Sequence, residues 1–245
     1  MKEYLDLKIL YEILVELNRV GIDKGILEPS DNGFLVRGVD TNESIITVDE
    51  IDSPGALPAK LAIQSVKTLK NRFELFGVDE LADLDYNIEY QDQETIKSIT
   101  LKKGRKKVKN TFSPLSAIQA PMMKNGVQFN VISTINFDKD KTDSIIQAIQ
   151  AMNHKDKNQS TITIYNQDGY NYVQLSDGDS DNFVDTIGES NSSEDWRCSW
   201  LTESFKKLIS EASKNNSSFE VKVTDKRVLL IRVNHIEFML ADVPD

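Results

Sequence analysis

The sequence predicts an α+β fold in two similar halves, and three observations carry that prediction. Four amphipathic helical segments stand apart along the 245 residues, the stretches between them read as short alternating strands, and a proline-bearing segment without a clear period lies at the midpoint. Tight-turn residues between the strands favour antiparallel hairpins over parallel crossover units. The length suits one large domain or two of ordinary size, either able to bury a proper core.

The first helix is expected over about residues 3–20, where Leu10, Ile13, Leu14 and Leu17 recur at three- and four-residue steps before Gly21. A second is expected from Pro58 to Phe76: proline is tolerated at a helix start, Ala62, Val66, Leu69, Phe73 and Phe76 form a stripe, and Gly77 closes it. The third follows the N-cap candidates of Asp138 to Thr142 and carries Ile145, Ile146, Ile149 and Met152. The fourth, over about 201–214, places Leu201, Phe205, Leu208, Ile209 and Ala212 on one face. Strands are expected at 33–39, 44–48, 86–90, 98–101, 128–135, 161–165, 170–175, 219–223, 228–233 and 237–241, with turns at Asp31-Asn32-Gly33, Gln167-Asp168-Gly169 and Thr224-Asp225-Lys226.

Similar strand-filled spacings separate helix one from two and helix three from four, as if a unit of one helix plus several strands occurred four times. The expected organisation is an N-terminal domain 1–112, a connector 113–126 and a C-terminal domain 127–245. The connector holds Pro114 and Pro121 and is unusually apolar for a plain linker.

Composition narrows the functional classes. With 39 acids against 29 bases the formal charge is -10, which taken uniformly would repel phosphates. No stretch has the length of apolar sequence a membrane helix needs, and the start, Met1 to Leu10, lacks the basic-then-apolar order of a signal peptide, so a cytoplasmic protein is expected. The single Cys198 forms no internal disulfide and reads as a buried thiol, and His154 and His235 stand far apart outside any metal-binding motif. Phosphate-binding glycine loops and the nucleophile-elbow motif are absent, so neither catalysis nor a cofactor or metal is expected, although 39 acids leave room for paired carboxylates. The run Asp177 to Asn182 lacks the glycine and glutamate a calcium loop needs at its sixth and twelfth positions, where Asn182 and Gly188 stand. It reads as a solvated acidic loop continuing through Asp185, Glu189, Glu194 and Asp195.

The duplicated helix-plus-strands units, the central connector, the segment Gly33 to Asp40 after the first helix and the ending Phe219–Val223 to Glu237–Asp242 resemble the DNA sliding clamps. T-even-type phage clamps, which likewise begin directly with a lysine-bearing helix in a short acidic chain, look nearest, and the two-domain proliferating cell nuclear antigen family is similar. The resemblance implies two clamp domains per chain and a head-to-tail homotrimeric ring, with helices on its inner face around duplex DNA. It further implies tethering of the replicative polymerase, loading by an ATP-dependent clamp loader and, for phage clamps, activation of late transcription.

Under that resemblance the helices should turn bases inward despite the acidic total. Residues 56–77 hold Lys60, Lys67, Lys70 and Arg72 against Glu74 alone, and the fourth helix holds Lys206, Lys207 and Lys214 against Glu203 and Glu211. Lys8 and Arg19 on the first helix and Lys139 and Lys141 on the third complete the candidate DNA contacts, with Gln147 and Gln150 on the third helix's polar face and Lys155 and Lys157 beyond it. For any one lysine, an ordinary solvated helix face is the competing reading. Lys102 to Lys109, the most basic run, suggests a hairpin centred on Gly104-Arg105, either a charged edge that blocks strand pairing or a contact for DNA or the loader. A client-peptide pocket is expected from Leu115, Ile118, Met122 and Met123 of the connector together with Ala241, Val243 and Pro244, with core filling as the alternative for each. The rival class is a β-rich oligomeric phage structural protein that does not encircle DNA, which would not segregate lysines onto helices.

Overall fold

The computed structural model describes residues 4–53, 56–121, 129–152, 160–176, 182–192 and 194–243. Met122, Met123, His154, Lys155, Lys157, Asp177 to Asp181 and Pro244 therefore lie outside the described residues. The chain divides into two units, Met1–Met123 and Lys124–Asp245.

In the first unit, α1 (Leu7–Val20) begins where the Asp6 carboxylate accepts from the amides of Lys8 and Ile9, both at 3.0 Å, and ends at Gly21, whose φ of 86° closes the last turn. Residues 4–6, which the sequence assigned to the helix, are not helical. The strands β1 (Ile22–Pro29), β2 (Gly33–Asp40) and β3 (Ile45–Asp52) form a meander, and β4 (Leu61–Ile63) pairs with β1 on its other side. After α2 (Val66–Glu74) and a 3-10 turn (Val78–Asp83), β5 (Asp85–Tyr90), β6 (Ile96–Lys103) and β7 (Lys106–Thr111) make a second antiparallel sheet.

The expected second helix from Pro58 is thus corrected to a short strand followed by a shorter helix. Leu57, Ala59, Leu61, Ala62 and Ile63 are all buried, so this stretch has no solvent face for a helix to show. A short apolar run carries no period that separates a buried strand from a helix. Here Ala62 sits opposite Ile26 of β1, and the Ser65 hydroxyl then caps α2 by accepting from the Thr68 amide at 3.3 Å. The helix also stops earlier than expected, with Leu75 at its C-cap.

The second unit is a clear internal duplication. One half runs β8 (Val131–Asp138), α3 (Lys139–Ala151), β9 (Thr161–Gln167), β10 (Tyr170–Ser176) and β11 (Asn182–Glu189). The other runs β12 (Arg197–Leu201), α4 (Thr202–Asn215), β13 (Ser218–Thr224), β14 (Leu229–Val233) and β15 (Ile236–Leu240). Each half lends its first strand to the other half's meander: β8 pairs with β13, and β12 with β9. That exchange makes the halves inseparable. Phe137 from β8, Phe205 from α4 and Phe219 from β13 meet in the core, with Phe137 stacked on Phe219 at 5.5 Å. The first unit repeats the device once, through β4 on β1, while the Leu5 amide donates to the Tyr86 hydroxyl of β5 at 2.9 Å.

Four strands were not expected. β1 mixes Lys24, Gly25 and Pro29 into its run, and β4 and β12 are too short to show alternation. β11 corrects the acidic-loop reading: Asp185 and Glu189 stand on a strand paired to β10, with a bulge at Gly188, whose φ is 136°. Among the described residues no helix is long and apolar enough to cross a membrane, and no group of three His, Cys, Asp or Glu side chains could hold a metal. Cys198 is a buried free thiol, pushed up in pKa by burial.

Candidate nucleic-acid interface

Each unit packs its two helices against each other, α1 on α2 and α3 on α4. Leu7, Leu10, Leu14 and Leu17 bury one side of α1, which turns Lys8, Glu12 and Arg19 outward at helical spacing. On α2, Val66, Leu69 and Phe73 are buried and Lys67, Asn71 and Arg72 are exposed. α4 turns Glu203, Lys207 and Lys214 to solvent.

Ion pairing separates the ten candidate cations. Lys60 has left the helix: it makes an isolated bridge to Thr95 and an ion pair to Glu94 at 3.3 Å. Lys70 binds Glu74 at 2.7 Å, and the Tyr11 hydroxyl of α1 donates to the same oxygen at 3.0 Å. This triad staples α1 to α2, and the Lys70 and Tyr11 hydrogen bonds hold the Glu74 carboxyl below the usual carboxylate range. Lys206 and Lys214 pair along α4 with Glu203 at 3.8 Å and Glu211 at 2.5 Å. Lys141 lies 3.9 Å from Asp138 and donates to the Asn136 carbonyl. Lys8, Arg19, Lys67, Lys139 and Lys207 are exposed and have no carboxylate within ion-pairing distance among the described residues. Arg72 joins this group and was not among the residue-level candidates; its guanidinium donates instead to the Asn110 side-chain oxygen at 3.4 Å. The sequence counts it among the bases of residues 56–77 but does not single it out as a contact.

The face of α3 is not basic. Lys139 is offset by Asp140 and Asp143, and farther along it exposes Ser144, Gln147 and Gln150. Two sheet margins carry opposite charge. Among the described residues β7 pairs only with β6 and presents Lys107 and Lys109, the latter bonded to Glu89; β11 pairs only with β10 and presents Asp185 and Glu189 beside the half-exposed Val184. The basic run 102–109 is a hairpin, as its Gly104-Arg105 centre foretold, with Gly104 at φ 56°.

The connector residues divide. Ile118 is buried with Ile26 and Ala62, and Leu115 and Ala120 pack against that cluster, so Ile118 fills the core of its own unit. Ala241 and Val243 are partly exposed beyond β15; there the Val243 amide donates to the Ser199 carbonyl at 2.7 Å and the Asp242 carboxylate accepts from the Ser199 amide at 2.7 Å.

Comparison places this arrangement in a known fold. The chain is similar to A. fulgidus PCNA, solved with the C-terminal region of FEN-1 bound, at TM-score 0.64 and 12% identity over 98% of this chain and 97% of that one. It is similar to the proliferating cellular nuclear antigen of Entamoeba histolytica at TM-score 0.62 and 13% identity, and to the PCNA2–PCNA3 complex of Sulfolobus tokodaii at 0.59 and 15%, with the same 98% and 97% coverage in each case. The fold is therefore that of the DNA sliding clamps, in α+β domains of helices and antiparallel sheets. No protein-family model and no curated protein matches the sequence.

Proposed function

We propose that the chain is a sliding clamp: a non-catalytic homotrimeric ring, soluble in the cytoplasm, that encircles duplex DNA and tethers a replicative polymerase for processive synthesis. Its domains are residues 1–112 and 127–245, joined by the connector 113–126. The observation that carries this reading is the combination of the clamp fold with unpaired cations on helix faces of a chain whose net charge is -10. Contacts from Lys8, Arg19, Lys67, Arg72, Lys139 and Lys207 would be point charges on phosphates, without base recognition, which suits a ring that slides. Lys60, Lys70, Lys141, Lys206 and Lys214 contribute less, because each has a carboxylate beside it.

Opposite charge on β7 and β11 supports head-to-tail assembly, in which the lysine-bearing edge of one copy meets the carboxylate-bearing edge of the next. The A. fulgidus structure carries the C-terminal region of FEN-1, and we propose that clients of this chain likewise present short tails, bound by residues of the connector and of the segment Ala241 to Pro244. An ATP-dependent loader, and in a phage setting late-transcription coactivation, extend the reading through its resemblance to T-even-type clamps.

Light scattering and particle imaging test the ring, and retention on circular against linear DNA tests encirclement. A trimer of the 27.7 kDa chain with a central hole is expected. Replacing Lys8, Lys67 and Lys207 together by glutamate should leave the trimer intact and reduce retention at moderate salt. A strict monomer at micromolar concentration, or retention indifferent to that triple change, would remove the proposal.

A further inference from the structure

Beside the start of α2 and the end of β7 lies a cavity of about 150 Å³ whose polar lining includes Ser65, Thr68, Arg72, Asn110 and Thr111. Among the described residues no carboxylate lines it. Its polar groups are arranged as donors. The Ser65 hydroxyl donates to the Thr68 hydroxyl at 3.0 Å, which leaves the Thr68 hydroxyl hydrogen free to point elsewhere. Arg72 reaches the Asn110 side-chain oxygen with one of its guanidinium nitrogens and has further N–H groups to offer. Asn110 is 1% exposed, and its Nδ2 has no acceptor among the described residues. A buried amide left without an acceptor is costly. The positive end of the α2 dipole lies at the same place.

Resting on the clamp reading, we propose that this notch seats one backbone phosphate of duplex DNA, with Arg72 as its charge partner and Asn110 and Thr68 as hydrogen-bond donors. A phosphate fits this set better than a halide because it offers several acceptor oxygens to donors spread over two elements. The notch lies off the outward row of α2 that carries Lys67, so it would add a seated contact to a face that otherwise offers diffuse charge. It would fix how a strand passes α2 without reading its sequence.

The test uses the isotopically labelled full chain, following the Thr68 backbone amide and the Asn110 side-chain amide by NMR. Inorganic phosphate, chloride at matched ionic strength, and a short DNA duplex are the probes. Both amides should shift saturably with phosphate and with duplex but not with chloride, and Arg72→Gln should abolish both responses. The same substitution should lower the salt slope of duplex binding by about 0.9, the value for one lost phosphate contact. Response to phosphate without response to duplex would overturn the proposal, as would silence toward both. If Lys67→Gln weakens DNA retention while these amides stay still, the clamp reading stands and the notch falls. If they answer both phosphate and duplex in a protein that forms no ring, the notch stands without the clamp.

Discussion

Glu74 shows how one residue serves both fold and charge. Its carboxylate accepts from Lys70 and from Tyr11, tying two helices while cancelling a cation that would otherwise face outward. Because its folded pKa is held down, the stabilisation it contributes is present above the unfolded carboxylate value, about 4.3, and is lost as pH falls through the lower folded value. Thermal unfolding of Glu74→Gln against wild type should therefore show a gap at neutral pH that closes below about pH 4. A gap that persists at low pH would mean the triad acts through packing alone. In the second unit Phe205 is fully buried and meets the Phe137 ring at 6.4 Å. Phe205→Ala should lower unfolding free energy in urea by about 3–5 kcal/mol.

Elements differ in how openly their sequences declare them. α1, α3 and α4 were legible because each shows a long stripe at helical spacing, and the Asp138 cap and the Gly21 stop were visible too. The second helix was overextended because Leu57 to Ile63 is buried on nearly every side, and burial on both faces erases the period that identifies an element. β11 was misread because acids and a glycine mark a loop when no partner strand is known, yet pairing with β10 makes Asp185 and Glu189 a sheet edge. At β2, Gly33 leaves no room for a side chain: an added Cβ would lie 1.9 Å from the Ile51 carbonyl oxygen. Gly33→Ala should force β2 from β3 and destabilise by about 1–3 kcal/mol, read by urea titration. Asp6→Ala, which removes the α1 cap and an exposed hydrogen bond from the Tyr4 hydroxyl, should cost about 1 kcal/mol by the same measurement.

For the molecule as a whole, the distribution of charge matters more than its sum. A net charge of -10 coexists with Lys8, Arg19, Lys67, Arg72 and Lys207 turned outward on helices, and with one basic and one acidic sheet edge. If opposite edges join copies, assembly should weaken as salt rises, since exposed pairs are screened within about 8–10 Å at 0.1–0.15 M. Lys107→Glu should favour monomer in sedimentation at low protein concentration, and adding Asp185→Lys should restore the trimer. Failure of the second change to rescue the first would dissociate these edges from assembly.

The sequence by itself determined the helices with one polar face, the hairpins with distinctive turns, and the placing of bases on helices within an acidic chain. Those are local properties, written in spacing that any single element displays. Tertiary structure alone decided that Lys60 leaves the helix, that Tyr11 of α1 joins the Lys70–Glu74 pair, that Ile118 fills a core, and that Arg72 meets a buried asparagine thirty-eight residues away. Each depends on which distant segment lies alongside, and that pairing is set by strand exchange and burial across the fold rather than by any periodicity along the chain.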